Sequence, residues 1–196
     1  MKTMKISRSL ALTLAITLLI SIALAAPSGA IYTTTKDGTI VNQNLYTNST
    51  DVYLSGGPQN QNSAGLNDGT YYFQITDPSG KALLSTDPAA CRKLVVTGGR
   101  VTGSAGTPTA CQHALGTANP ANGATPVQMA PFSATPNNGN EYKAWVVAAA
   151  DATISSTDPK VLIFQNNAAK TDNFKVQNVA PPPAIQSCLP SSTTGS

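Results

Sequence analysis

The stretch "LNDGTYYFQITDPSGKALLSTD", residues 66–87, predicts two β-strands joined by a tight turn. Apolar side chains occupy every second position at Tyr71, Phe73 and Ile75, which is the period of a strand with one buried face. Residues 77–80, Asp-Pro-Ser-Gly, have the composition of a β-turn, because Pro presets φ and Gly relieves strain. The stretch therefore predicts a hairpin that serves as scaffold, and none of its residues forms a catalytic motif.

Strand-like runs recur along the rest of the chain, separated by turns rich in Gly, Asn, Asp and Pro. They lie at residues 39–44, 51–54, 70–76, 82–85, 93–97, 100–103, 125–129, 141–149, 161–165 and 173–179. Two short helical turns are expected, one at residues 87–90 and one at 107–116. Strands at this spacing predict an all-β protein, an Ig-like or prealbumin-like antiparallel β-sandwich of about eight to ten short strands.

The N-terminus has the features of a secretory signal peptide. Three basic residues without an acid precede an uncharged apolar run at residues 9–26. Small residues place cleavage after Ala25 or after Ala30, and an uncleaved membrane anchor is the alternative. We therefore expect a signal peptide at residues 1–30, a β-sandwich domain at residues 31–179, and a disordered Pro/Ser/Thr-rich tail or linker at residues 180–196.

The charge balance excludes two classes of partner. The whole chain has a formal net charge of +3, and that excess equals the three basic residues of the expected signal peptide. Without them, acidic and basic residues balance, and no Lys/Arg cluster remains. Binding to nucleic acid or to an anionic membrane depends on such a cluster. We therefore expect a secreted protein, extracellular or at the cell surface, that binds no nucleic acid and no membrane after signal cleavage.

The three cysteines predict one disulfide bond and one unpaired thiol. Cys91 and Cys111 flank a predicted hairpin, and in an oxidising compartment such a pair forms a disulfide. Cys188 lies in the tail, where pairing with either of the other two cysteines is the alternative. An unpaired Cys188 could instead link two chains into a dimer.

Residues able to support catalysis or metal binding are scarce. His113 is the only histidine and Glu141 the only glutamate, and neither lies in a recognisable motif. Cys111 next to Gln112 and His113 resembles a zinc ligand set, but the disulfide would consume the thiolate. A Ser-His-Asp hydrolase would lack a nucleophile elbow. We therefore expect no enzyme activity, no catalytic residue, no metal site and no cofactor.

The segment "NGNEYKAWVV", residues 138–147, predicts a central strand. Its alternation places Tyr142 on one face and Trp145 on the other, so that both faces are partly apolar. Trp145 is therefore expected in the core. The alternative is that Trp145 is exposed together with Tyr71 or Tyr72, because coplanar exposed rings are the binding surface of a small carbohydrate-binding module.

The segments "DGTYYFQITDPSGK", "CRKLVV", "NGNEYKAWV" and "TDNFKV" together resemble the β-rich N-terminal region of secreted bacterial surface proteins. They are similar to the prealbumin-like or collagen-adhesin B-type sandwiches of adhesins and their stalks. The resemblance implies a structural or adhesive role without catalysis, with surface proteins or glycans as partners. A small carbohydrate-binding module is the alternative function, and a secreted hydrolase using His113 or Glu141 is a third.

Overall fold

The computed structural model describes residues 28–58 and 63–178, and within them it is an all-β fold with a sandwich-like core. Its eleven strands are β1 Ala30–Thr34, β2 Leu45–Asn48, β3 Tyr53–Gly57, β4 Gly69–Thr76, β5 Lys93–Thr97, β6 Arg100–Ser104, β7 Val127–Gln128, β8 Glu141–Ala148, β9 Ala152–Ile154, β10 Leu162–Phe164 and β11 Ala169–Asn178. The helical elements of this part are five 3₁₀ turns, at Ser49–Asp51, Ala89–Cys91, Thr109–Cys111, Ala149–Asp151 and Asn166–Ala168. Within the described ranges, no helix is long and apolar enough to cross a membrane.

Two sheets and a hairpin make up the fold. The large sheet has the order β2-β11-β8-β4-β5-β6, the small sheet has the order β1-β3-β7, and β9 pairs with β10. All pairs are antiparallel except β2 with β11, which is parallel. The core lies between the two sheets. Apolar side chains of the small sheet, such as Leu54 and Val127, pack there with Phe73 and Val146 of the large sheet.

Strands β4 and β8 form the centre of the large sheet because both bury side chains on alternate positions. Tyr71, Phe73 and Ile75 of β4 are buried in the core, as their period predicts. Opposite them, β8 contributes Tyr142, Ala144 and Val146 to the same core, and its other face buries Trp145 and Val147. The expectation that β8 is central with two apolar faces is confirmed.

Several predicted elements differ from the observed ones. The strand predicted at residues 39–44 is wrong, because Asn42 adopts a positive φ of 56° and this segment turns before β2 begins. Residues 82–85 form only isolated bridges, through Leu83 and Ser85. The helical turn predicted at residues 107–116 is shortened to Thr109–Cys111. Strands β1, β2 and β9 were not predicted.

The ends of the described region bear on two expectations about the termini. Most of the expected signal peptide and the whole of the expected tail, including Cys188, lie outside the described residues. Strand β1 begins with Ala30, which pairs with Gly57, and the Ser28 hydroxyl donates to the carbonyl of Gly65. Cleavage after Ala25 would leave these contacts in place, whereas cleavage after Ala30 would remove them.

The turn that follows β4 is held by the Asp77 carboxylate and lies over the outer face of the large sheet. Asp77 accepts hydrogen bonds from the Ser79 hydroxyl and from the backbone N–H groups of Lys81 and Ala82. These bonds, led by that from Ser79, hold the pKa of Asp77 below its usual range. At Gly80, with φ of +78°, a Cβ atom would lie 2.9 Å from the Trp145 ring, so the turn requires glycine there.

Candidate functional site

The disulfide predicted between Cys91 and Cys111 is confirmed. The two sulfur atoms are bonded, the Cα atoms are 5.2 Å apart, and the bond closes a loop that contains the β5–β6 hairpin. Cys91 is buried, and the 3₁₀ turn that carries Cys111 ends two residues before His113. The disulfide therefore fixes the segment in which the single histidine lies.

His113 belongs to a largely buried group of polar and charged side chains. Its Nε2 atom lies 3.0 Å from the Asp87 carboxylate and its Nδ1 atom 2.8 Å from the carbonyl oxygen of Gln128. The ring also packs edge-on against Phe73, with centroids 4.8 Å apart. Because both ring nitrogens lie against oxygen acceptors, neither is free to take a proton from a substrate. The arrangement holds the ring in place and does not resemble an activated general base.

Arg92 completes this buried group from the other side of Asp87. Its side chain is fully buried, its Nε atom lies 3.7 Å from the Asp87 carboxylate, and its Nη2 atom donates to the carbonyl of Lys160. Burial lowers the pKa of Arg92 to about 10, and the charges of Asp87 and Asp158 oppose that shift. The group of Asp87, Arg92 and His113 therefore ties three loops to the face of β4.

The three aromatic residues considered for sugar stacking do not form an exposed surface. Trp145 is 8% exposed, with its Nε1 donating to the Thr76 hydroxyl and its ring packed on Phe164. Tyr71 is 2% exposed, and its hydroxyl donates to the carbonyl of Asn67. Tyr72 is half-buried below the ammonium group of Lys93. These rings are thus separated and largely covered, and the platform that stacks a sugar ring is not assembled from them.

A groove on the outer face of the large sheet is the candidate functional site. Its floor is the start of β8, one wall is Pro78 in the turn after β4, and the other wall is β11 with the residue that precedes β2. Its volume is about 200 Å³. The polar side chains that line it are Asn44, Glu141, Lys143, Asn173 and Lys175. We call this feature the outer groove.

Sheet register explains why four of these side chains converge. Asn173 lies opposite Lys143, and Lys175 lies opposite Glu141, in the antiparallel pairing of β11 with β8. Because alternate residues of a strand point to the same face, all four project to the outer side. The parallel pairing of β2 with β11 places the backbone of Asn44 beside Lys175, and the Asn44 carbonyl accepts from the Lys175 N–H at 2.9 Å.

The groups of the outer groove differ in how far they are already paired. Lys175 forms an ion pair with Glu141 at 3.0 Å, with both side chains nearly half exposed, and such a surface pair contributes little stability. The Lys143 ammonium lies 5.4 Å from the Trp145 ring centroid, and no carboxylate of the described residues pairs with it. The side-chain amides of Asn44 and Asn173 likewise make no hydrogen bond within that part of the chain. An ammonium group and two amides are therefore available to a ligand.

Of the groove residues, the sequence alone singled out Glu141, as a residue that a secreted hydrolase could use. The alternation in residues 138–147 already placed Lys143 and Trp145 on one face, and that was the available signal for the floor of the groove. Asn44 and Asn173 carried no signal, because only the pairing of strands distant in sequence brings them together.

Comparison with known proteins identifies no related protein. No protein-family model matches the chain, and neither a curated protein nor a solved structure is significantly similar to it. Among residues 28–58 and 63–178, no group of three or more His, Cys, Asp or Glu side chains is arranged to hold a metal ion.

Proposed function

We propose that this protein is a secreted, non-catalytic structural or adhesive module that contacts its partner through the outer groove. The observation that carries the proposal is a set of polar groups there that make no hydrogen bond or ion pair with the described residues, namely the ammonium of Lys143 and the amides of Asn44 and Asn173. A rigid β-scaffold that presents such groups at one end of a sheet is suited to binding a surface. The resemblance to adhesin sandwiches and the disulfide support an extracellular location.

The buried state of His113 supports the absence of catalysis. A general base has to reach a substrate proton, and His113 uses both ring nitrogens to hold Asp87 and the carbonyl of Gln128. Glu141 is open to solvent, but its partner is Lys175, and among the described residues no second carboxylate lines the outer groove. Paired-carboxylate glycoside hydrolysis therefore has no second residue at this site.

A small carbohydrate-binding module is the second candidate function. The outer groove favours a module that binds sugar through polar side chains. Amides and charged side chains provide hydrogen bonds to sugar hydroxyls, whereas Trp145 and Tyr71 are too buried to stack on a ring. Sugar binding here would depend on polar contacts instead of aromatic stacking.

We expect purified mature protein to be retained saturably on washed cells that produce it, with no turnover of ester, peptide or glycan substrates. Because His113 is structural, His113→Gln should leave retention unchanged in whatever fraction folds. Circular dichroism would measure that fraction and a fluorescent label would measure retention. Substrate turnover that His113→Gln abolishes in folded protein would contradict the proposal, as would retention that never saturates.

A further inference from the structure

We infer that the outer groove binds a carboxylate-bearing sugar unit of an acidic polysaccharide. The inference rests on the proposed function and specifies the chemistry of its partner. The polar groups named above carry it: one ammonium and two amides that no described residue pairs with, and an ion pair exposed to solvent.

The charge of the outer groove matches a single negative charge. Lys143 and Lys175 contribute two positive charges and Glu141 one negative charge, which leaves a net charge of +1. Lys175 is already neutralised by Glu141 at 3.0 Å, so the excess lies on Lys143. A phosphate monoester carries nearly two negative charges at neutral pH and would also face Glu141. A monoanionic carboxylate is therefore the better match.

The amides favour a sugar over a simple acid. Asn44 and Asn173 each present donors and an acceptor, and hydroxyl groups can pair with both kinds of atom. Both amides lie on the β11 side of the groove, Asn173 directly opposite Lys143 in the sheet. A ligand that places its carboxylate on Lys143 would thus meet the amides with its ring hydroxyls.

The size of the outer groove sets the length of ligand that it holds. Its volume of about 200 Å³ is below the roughly 300–1,000 Å³ of pockets that enclose a drug-sized molecule. It would take one sugar unit, with the rest of the polymer running over the sheet face. Binding by one domain should therefore be weak, and the affinity should fall as salt screens the charge.

The test is calorimetric titration of the mature protein with trigalacturonic acid and with its neutral trimethyl ester. We expect the acid to bind and the ester to bind at least about tenfold more weakly. Lys143→Gln should lower the affinity for the acid by a similar factor, which is the size of one charge-assisted hydrogen bond. Lys93→Gln is the matched control, since Lys93 is on the same face but outside the groove. Lys93→Gln should leave the affinity for the acid nearly unchanged.

Several results would overturn the inference. They are equal binding of acid and ester, acid binding that Lys143→Gln leaves unchanged, and equal binding of glycerol phosphate or an acetylated tri-glutamate peptide. Trigalacturonic acid could fail to bind while retention on cells is saturable and is lost in Asn173→Ala. In that case the ligand class is wrong and the proposed function stands. If that retention is also absent, the proposed function itself fails.

Discussion

Replacing Asp87 with alanine should lower the free energy of unfolding by about 3–5 kcal/mol. The change leaves the guanidinium of Arg92, which is fully buried, without its nearby carboxylate, and it removes the partner of His113 Nε2. Breaking a buried charged group by removing one member costs more than the group contributes, because an uncompensated charge stays in the interior. Urea unfolding followed by circular dichroism would measure the loss.

Two further variants separate this cause from a general loss of a side chain. Asp151→Ala, at a partly exposed position that forms no ion pair with another described residue, should stay within about 0.5 kcal/mol of the parent protein. In Asp87→Ala/Arg92→Met, an apolar side chain replaces the unpaired charge, so stability should recover in part. A double variant less stable than Asp87→Ala would contradict the role given to Arg92.

Removing the disulfide should have the second largest effect. In Cys91→Ala/Cys111→Ala the unfolded chain regains the freedom of a loop spanning a sequence separation of 20 residues. The expected loss is about 3 kcal/mol, which lowers the melting temperature of a domain of this size by about 10 °C. Differential scanning calorimetry of the oxidised parent and the double variant would measure the shift.

Cys188→Ser is the control for the disulfide. It leaves the Cys91–Cys111 bond intact, so the melting temperature should stay unchanged, and it removes any dimer linked through Cys188. Non-reducing peptide mapping of the parent protein should find Cys91 joined to Cys111. Free thiols at both positions, or either one joined to Cys188, would contradict the account.

Parts of the fold that rest on local alternation could be predicted from the sequence. The burial of Phe73 and Val146 follows from the period of their strands, and β5 has the predicted bounds, Lys93–Thr97. The strand predicted at residues 39–44 was wrong because its two apolar residues do not lie in the core. Ile40 and Val41 are 50% and 39% exposed in a segment that turns. Strand β1 was missed because it directly follows the apolar run that indicates a signal peptide.

The candidate site was less predictable, for a physical reason. Local sequence indicates which side chains share a face of one strand, as for Lys143 and Trp145. It does not indicate which strands become neighbours, and the parallel pairing of β2 with β11 brings Asn44 to the outer groove. The group of Asp87, Arg92 and His113 was missed likewise, because it joins side chains from separate loops.

Retention of matched variants on producing cells shows whether the outer groove is the contact surface. We expect Asn44→Ala/Asn173→Ala to lose most of the saturable retention. Ile40→Ser/Leu45→Ser, which alters one exposed apolar residue before β2 and one at its start, should keep it. Both pairs replace exposed side chains, so both variants should fold. Retention that survives loss of the two amides but disappears with the apolar pair would contradict the account.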